Sequence, residues 1–225
     1  LYCFLERCGD FDRLKDEVIY MEFLKYIVVI IVGYLMGCIQ SSYLIGRKNK
    51  IDIREHGSKN AVASNAFMVL GWKKGALVAL IDILKAAIPV FVVTQIFPDS
   101  SLLAMTCGVA AGLGHIFPVF LGFRGGKGTA CIIGMALGLN PIIFIVAIIA
   151  IVLVTIITDY VAIGTLVLLI SFLVTLIILD YSMAAIFLFA AIAIINMYLH
   201  IPNFKRIKQG TETGLRSVLK KRKKD

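Results

Sequence analysis

The feature that most constrains this chain is a series of six apolar runs, each of 18 to 24 residues, between residues 23 and 199. A helix needs about 20 apolar residues to cross a bilayer. Hydrophobic residues make up 60% of the chain and charged residues 16%, against roughly 45–50% and about 25% in soluble domains. This composition argues against a soluble enzyme, a disordered segment or a disulfide-rich secreted domain. We therefore predict an all-α, polytopic integral membrane protein, with spans at Phe23–Gly46, Ala76–Phe97, Leu102–Phe123, Pro141–Thr158, Tyr160–Leu179 and Ser182–Leu199.

A seventh, shorter apolar run, Thr129–Leu139, is separated from the next span by Asn140 and Pro141. Residues 47–74 contain seven Lys and Arg residues and the chain from Lys205 onward contains nine, whereas residues 98–101 contain none. Basic residues concentrate on the cytoplasmic side of membrane proteins. Only an odd number of crossings places both basic segments on that side. We predict about seven transmembrane helices, with the N-terminus outside and the C-terminus cytoplasmic; five crossings have the same parity and stay open.

The distribution of charge also predicts the domain organisation. Residues 1–22 carry charges of both signs and do not resemble a signal peptide, so we interpret them as an N-terminal extension that need not belong to the working protein. Residues 23–212 form one membrane-embedded domain, and residues 213–225 form a basic cytoplasmic tail. The net charge of +9 lies mostly between and beyond the apolar runs, which indicates a lipid bilayer rather than nucleic acid as the partner. No obligate protein partner is inferred. Three of the five cysteines fall in apolar segments and are expected to act as small hydrophobic residues: Cys38, Cys107 and Cys131.

Three polar segments interrupt the apolar runs, and the predicted topology places all three at the cytoplasmic surface. They are Gly57–Asn65, Gly114–Gly128 and His200–Glu212, called below the first, second and third polar segments. The second presents two cations around a glycine pair, where backbone N–H groups can form a nest for an anion. The first supplies short hydrogen-bond donors, and His200 and Asn203 share a face if the chain there is helical. Together the segments predict a phosphorylated ligand at the membrane surface.

Some of these residues also have other interpretations. The sequence GGKGT is not a P-loop, because that motif needs Gly and Ser or Thr where this chain has Leu121 and Gly128. Ser58 and Ser64 could cap helices, and glycine-rich basic loops often only end helices and bind lipid headgroups. Asp82 and Lys85, three residues apart in the second span, are expected to form an ion pair with each other, because charges within a membrane are costly.

The three segments resemble, in order, the three signature segments of the bacterial acyl-phosphate:glycerol-3-phosphate acyltransferase family, PlsY. The second segment matches almost throughout, with Arg124 in place of Lys, and Ser64 replaces Thr in the first. Asp82 and Lys85 also match a D-x-x-K pattern of the family, and the resemblance runs from about Met21 to Glu212. The other matching residues are Gly57, Ser58, Asn60, Ala63 and Asn65 in the first segment and His200, Asn203, Lys205, Arg206, Gly210, Thr211 and Glu212 in the third.

The resemblance implies an enzyme that moves a fatty acyl group from acyl phosphate to the 1-hydroxyl of sn-glycerol 3-phosphate. The products are lysophosphatidate and phosphate, in the first acylation step of phospholipid synthesis. It implies a multi-pass protein of the bacterial cytoplasmic (inner) membrane with its active site facing the cytoplasm, and no cofactor, CoA or metal. The implied catalytic residues are Ser58, Lys127, His200 and Asn203. The implied substrate- and phosphate-binding residues are Gly57, Asn60, Ser64, Asn65, His115, Arg124, Gly125, Gly126, Gly128 and Arg206.

The sequence offers more than one candidate for some roles in the site. His115 and His200 are both candidate general bases, and the phosphate of glycerol 3-phosphate is the preferred alternative. The family usually has Arg where this chain has Met68, so Lys59 or Lys73 is expected to substitute. Ile201 and Pro202 also depart from the third signature segment. A transporter or channel for a small anion is the alternative function, because it too would suit interrupted spans and an intramembrane Asp–Lys pair.

Overall fold

The computed structural model describes residues 2–222, and their side chains from Lys15 to Val218. This part of the chain is helical, and no strand occurs in it. Six stretches are long and apolar enough to cross a membrane, and Thr129–Leu139 is a shorter apolar helix. The prediction of an all-α, polytopic membrane protein is confirmed. The α-helices are α1 (Tyr2–Gly37), α2 (Ser41–Lys48), α3 (Ala63–Leu70), α4 (Trp72–Ile96), α5 (Ser101–Ile116), α6 (Thr129–Leu139), α7 (Pro141–Thr158), α8 (Val161–Ile178), α9 (Met183–Lys208) and α10 (Leu215–Arg222).

The first predicted span lies within one apolar stretch, Lys15–Lys48, in which the helix is broken between α1 and α2. At this break the Ile39 carbonyl accepts a hydrogen bond from Lys85 Nζ at 2.5 Å. The Gln40 side chain donates to the carbonyl of His115 at 2.9 Å. Lys85 of α4 thus replaces a hydrogen bond that the Ile39 carbonyl would accept within an unbroken helix, and the Gln40 side chain ties the break to α5.

Two further helix ends differ from the prediction. The third span was expected to reach Phe123, but α5 ends at Ile116. Pro118 follows, and the chain then makes a short 3-10 turn before Gly122, which adopts a left-handed conformation. The last span was expected to end at Leu199, but α9 continues to Lys208 with Pro202 inside it. His200 and Asn203 therefore lie on one helix, as their spacing predicted.

The short helix α6 packs in parallel against the second half of α4. Cys131 lies beside Asp82, with its Sγ 3.4 Å from the Asp82 carbonyl oxygen. At the other end of α6, Thr94 Oγ1 is 3.2 Å from the Gly138 carbonyl oxygen. Gly134 and Gly138 face α4 so closely that a Cβ on either would overlap its backbone. Small residues four apart allow this approach between membrane helices.

The core lies among α4 to α9, and the outward surface is apolar. Phe172 of α8 and Phe189 of α9 are fully buried, with ring centroids 4.2 Å apart. Cys38, Cys107 and Cys131 are buried and free, as small hydrophobic residues should be; Cys3 and Cys8 lie outside the described side chains. Large apolar residues on the outer faces stay exposed, for example Ile157, Ile178 and Ile194. An outer surface of this kind suits lipid rather than water.

The last helix, α10, begins against the connection between α7 and α8. Asp159, in a left-handed conformation, accepts hydrogen bonds from the backbone N–H of Leu215 and of Arg216, at 2.8 and 2.7 Å. The end of α7 and the segment after α9 therefore lie at the same end of the bundle. Residues 219–225, which include most of the predicted basic tail, lie outside the described side chains.

Gly134→Ala should destabilise the protein, because its new methyl group would overlap the Ile83 carbonyl oxygen on the α4 backbone. Overpacking of this kind costs about 1–3 kcal/mol. The matched control is Gly112→Ala in α5, where the new Cβ would meet only the Ile192 side chain at an ordinary 3.5 Å. Thermal unfolding in detergent should show a lower midpoint for Gly134→Ala alone. Equal midpoints would contradict this account of the α4–α6 contact.

Candidate functional site

The three polar segments meet at one end of the bundle. The first and second touch where Gly126 lies against the Ala61 carbonyl oxygen. The second and third are joined by a hydrogen bond from Lys127 Nζ to Asn203 Oδ1. A cavity of about 480 Å³ lies between the first and second segments and reaches Leu199 of α9. Its lining includes four cationic side chains, Arg54, Lys59, Arg124 and Lys127, beside two acidic residues, Asp52 and Glu55.

The first segment is a compact loop built around Asn65, which is fully buried. Its Nδ2 group donates to the carbonyl oxygens of Ile53, His56 and Asn60 at 2.9–3.0 Å. Its Oδ1 accepts from the backbone N–H of Ser58 at 2.8 Å. These bonds use the Asn65 amide to shape the loop, and its direct contact with substrate stays a prediction.

The structure around the first segment also shows whether its serines cap helices and which lysine lies at the cavity. Neither Ser58 nor Ser64 caps a helix, because the N-cap of α3 is Val62 and that of α4 is Gly71. The alternative of a purely capping role is therefore wrong for both serines. Lys59 lines the cavity, whereas Lys73 and Met68 do not. Of the two predicted substitutes for a family Arg at Met68, only Lys59 is thus in place.

The glycine pair of the second segment lies directly on the last turn of α5. The amide of Gly125 donates to the Ile116 carbonyl at 3.2 Å, and that of Gly126 donates to the His115 carbonyl at 3.0 Å. A Cβ on Gly125 would overlap the His115 carbonyl oxygen, and one on Gly126 would overlap the His115 ring. These two amides are already used, which corrects the prediction that they form an anion nest. The glycines instead allow close packing, which places Arg124 and Lys127 at the cavity.

Lys127 is the centre of a polar network that joins the second and third segments. Its ammonium donates to Asn203, whose Nδ2 donates to Glu212 Oε1 at 2.6 Å. Glu212 Oε2 also accepts from Arg206 Nε at 2.5 Å. Burial lowers the pKa of Lys127 to about 8; the positive charge of Arg206 also lowers it, and Glu212 opposes the shift.

Two residues of this network carried no predicted role. Glu212 closes it by accepting from both Asn203 and Arg206. Asn196, fully buried in α9, donates from Nδ2 to the Lys127 carbonyl at 2.8 Å. Its spacing from His200 and Asn203, four and seven residues, matches one face of a helix. That spacing is the signal that could have identified it.

Both predicted histidines are buried. His200 is 5% exposed, and its Nδ1 lies 2.9 Å from the Asn196 carbonyl oxygen. Because a carbonyl only accepts, Nδ1 carries the proton, and Nε2 of the neutral ring keeps its lone pair. His115 is 2% exposed, with Nδ1 2.8 Å from Lys85 Nζ.

The predicted Asp82–Lys85 ion pair is confirmed, with 2.8 Å between Oδ1 and Nζ.

Arg54 is a cavity residue that the sequence did not single out. Asp52 holds its guanidinium with two hydrogen bonds, at 3.0 and 2.8 Å. These bonds lower the pKa of Asp52 to about 2. The planar Arg54 group also lies over the Tyr43 ring, 4.7 Å from its centroid. Arg54 is thus held rigidly at the edge of the cavity.

The predicted site residues fall into three groups around this cavity. Five line it: Asn60, Arg124, Gly125, Gly126 and Lys127. Two adjoin Lys127 through the hydrogen-bond network, Asn203 and Arg206. The remainder lie outside the lining: Gly57, Ser58, Ser64, Asn65, His115, Gly128 and His200. Within the described side chains, no group of three or more His, Cys, Asp and Glu residues could hold a metal ion.

Comparison with known proteins identifies the family. The profile of a family described as glycerol-3-phosphate acyltransferase matches residues 27–210. "Glycerol-3-phosphate acyltransferase 1" of Oceanobacillus iheyensis is 36% identical over 206 residues, which cover 88% of this chain and 99% of that protein. "Glycerol-3-phosphate acyltransferase" of Halalkalibacterium halodurans is 40% identical over 194 residues, which cover 84% and 94%.

The fold is also similar to crystal structures of PlsY, an integral membrane glycerol 3-phosphate acyltransferase. Its glycerol 3-phosphate form has a TM-score of 0.80 and 30% identity, over 84% of this chain and 95% of that chain. Its lysophosphatidic acid form has a TM-score of 0.78 and 30% identity, over 86% and 98%. The alternative of a transporter or channel finds no support in these relatives. With most of its length matched in sequence and in fold, the chain belongs to the glycerol-3-phosphate acyltransferase family of integral membrane enzymes.

Proposed function

We propose that this enzyme transfers a fatty acyl group from acyl phosphate to the 1-hydroxyl of sn-glycerol 3-phosphate, releasing lysophosphatidate and phosphate. The observation that carries the proposal is the half-buried Lys127 ammonium, which joins the second and third polar segments at a cavity with three other cations. The reaction brings together two phosphorylated substrates, so it needs cationic groups for two phosphates. The two PlsY structures, one in a glycerol 3-phosphate form and one in a lysophosphatidic acid form, support the acceptor and the product.

The cavity offers distinct walls for the reactants. Arg124 and Lys127 belong to the second segment, and Arg54 and Lys59 lie in or just before the first. Each pair can bind one phosphate, since guanidinium and ammonium groups both donate to phosphate oxygens. Apolar residues complete the lining and suit the first carbons of an acyl chain: Ile116, Phe117, Phe123 and Leu199.

The chemistry then requires positioning and charge stabilisation. The 1-hydroxyl oxygen attacks the acyl carbonyl carbon, an oxyanion forms, and the bond to the phosphate oxygen breaks so that phosphate leaves. Lys127 stabilises the negative charge that develops on the oxyanion or on the leaving phosphate. Asn203 orients Lys127, and Ser58, which belongs to the first segment, is assigned as a further donor.

The hydroxyl proton needs an acceptor during this step. The second pKa of a phosphate monoester is near 6, so the phosphate of glycerol 3-phosphate is a suitable base. His200 has a free Nε2 lone pair but little exposure, and it is assigned to positioning. His115 is not assigned to substrate binding or to catalysis, because it lies behind the glycine pair and its Nδ1 faces Lys85.

We place the enzyme in the bacterial cytoplasmic membrane, with seven crossings and the site on the cytoplasmic side. The helix α6 packs in parallel against the second half of α4, which supports α6 as the seventh crossing. Because α6 is short, the glycine-rich loop before it completes this crossing. Asp159, which follows α7, contacts α10, which follows α9. This contact supports placing the ends of α7 and α9 on the same side of the membrane. Residues 23–212 form the catalytic domain, residues 1–22 an extension, and residues 213–225 a tail at the membrane surface.

Acyl transfer by the purified full chain tests the proposal. Glycerol 3-phosphate is supplied with palmitoyl phosphate or, in parallel, with palmitoyl-CoA, and lysophosphatidate is measured. We expect product from palmitoyl phosphate alone. Product from palmitoyl-CoA alone, or from neither donor with folded protein, would contradict it.

Lys127→Ala should lower kcat/KM by about a hundredfold or more, because it removes a charge that stabilises the transition state. The matched control is Lys205→Ala, since Lys205 is an exposed cation of the third segment that is absent from the cavity lining. Its kcat/KM should stay close to that of the unchanged enzyme. An equal loss of kcat/KM in both variants would mean that the overall positive charge of this region, and not a charge at position 127, supports turnover.

The pH dependence of the KM for glycerol 3-phosphate should follow the protonation of Lys127. The pKa of its ammonium is about 8, so the charge is present below that pH and is lost above it. The KM for glycerol 3-phosphate should therefore rise by about tenfold per pH unit well above pH 8. In Lys127→Arg this rise should vanish, because guanidinium stays protonated. The same rise in both enzymes would rule out Lys127 as its source.

Membrane topology can be read by labelling single cysteines in intact cells with an impermeant maleimide. Ser100→Cys, in the short α4–α5 connection, should react in intact cells. Lys50→Cys, in the basic loop after α2, should react only after the cells are opened, because that loop is cytoplasmic. The parent for both variants has the native cysteines replaced by Ser or Ala. Reversed labelling would overturn the orientation.

A further inference from the structure

Lys85, in the membrane-spanning helix α4, lies at the centre of a buried polar cluster. Asp82 and Lys85 are 1% and 3% exposed, and their charged groups are 2.8 Å apart. Ser41 Oγ also donates to Asp82 Oδ1 at 2.8 Å. Ionisable residues at this depth are costly, and in membrane proteins they usually serve a function. No residue of this group lines the cavity, so a direct contact with substrate does not explain it.

The ammonium group has three N–H donors, and three acceptors surround it. They are Asp82 Oδ1 at 2.8 Å, the Ile39 carbonyl at 2.5 Å and His115 Nδ1 at 2.8 Å. Because an ammonium only donates, His115 Nδ1 accepts, and the ring proton is on Nε2. Lys85 thus links α4 to the break between α1 and α2 and to the last turn of α5.

That last turn of α5 supports the loop that carries Lys127. The His115 carbonyl accepts hydrogen bonds from the amide of Gly126, at 3.0 Å, and from Gln40 Nε2, at 2.9 Å. The His115 ring fills the space that a Cβ on Gly126 would occupy. The position of His115 therefore fixes how far the glycine-rich loop lies from the bundle and from the first polar segment.

We propose that Lys85, acting through His115, is a positioning residue for the acyl transfer reaction. It holds the glycine-rich loop in the position, relative to the helix bundle, at which Arg124 and Lys127 face the cavity. It does not touch either substrate. The inference rests on the proposed function for its kinetic consequence only. The position of the loop itself can be measured without turnover.

Two pairs of variants test this. Lys85→Met removes the ammonium, and Asp82→Leu with Lys85→Met removes both charges, a change that buried ion pairs often tolerate without loss of folding. His115→Phe removes the acceptor of the Lys85 hydrogen bond, whereas the side-chain oxygen of His115→Asn can replace Nδ1. Hydrogen exchange of residues 122–128 by mass spectrometry, thermal unfolding, and kcat and KM for glycerol 3-phosphate are measured for each.

We expect faster exchange of residues 122–128 in Lys85→Met, the double variant and His115→Phe, with unchanged exchange in α8. In these variants KM should rise by about tenfold or more, since small displacements of a binding group are costly, while kcat changes less. His115→Asn should restore both loop exchange and KM. Unchanged loop exchange in all variants would overturn the proposal, whether or not the enzyme turns over. A collapse of kcat in His115→Asn with normal loop exchange would instead make His115 a catalytic group and would equally overturn it.

Discussion

The bonds of one buried ammonium group connect the parts of this protein that carry its polar chemistry. A break in a membrane helix leaves carbonyl groups unpaired in an apolar medium, which costs several kcal/mol for each group. At the α1–α2 break, Lys85 satisfies the Ile39 carbonyl, and Asp82 balances the charge that does so. The broken helix and the buried charges thus stabilise one another, and neither is a defect of the fold.

This arrangement allows a polar site to be built at the end of an apolar bundle. The last turn of α5 is fixed on one side by Lys85 and carries the glycine-rich loop on the other. The loop places Lys127 beside α9, where Arg206 binds the Glu212 carboxylate directly and Lys127 is linked to the same carboxylate through Asn203. Two cations with one anion leave a net positive charge in a partly desolvated place. Such a site favours one further anion, which is the property a phosphate substrate requires.

Local patterns in the sequence predicted the features that depend on neighbouring residues. The apolar run of α4 and the spacing of Asp82 and Lys85 determine a membrane helix with an internal ion pair, and both are observed. The spacing of His200 and Asn203 likewise indicated a shared helix face. The order of the three polar segments was enough to indicate the family.

Features that depend on distant residues were not predictable in this way. Lys85 reaches His115, 30 residues away, and Ile39, 46 residues away. No periodicity in the sequence encodes these contacts, so the helix break within the first span was not predicted. Gly125 and Gly126 look like an anion nest as a dipeptide, but tertiary packing commits their amides to α5. The role of Asn65 is hidden for the same reason, because its partners are backbone groups of a folded loop.

The central claim is that the half-buried Lys127 ammonium binds a substrate phosphate at the junction of the three segments. An experimental structure of this protein with glycerol 3-phosphate bound tests it most directly. The account predicts a phosphate oxygen within about 3.2 Å of Lys127 Nζ, inside the cavity that Asn60 and Arg124 also line. A phosphate bound elsewhere on the molecule, with Lys127 still hydrogen-bonded only to Asn203, would contradict it.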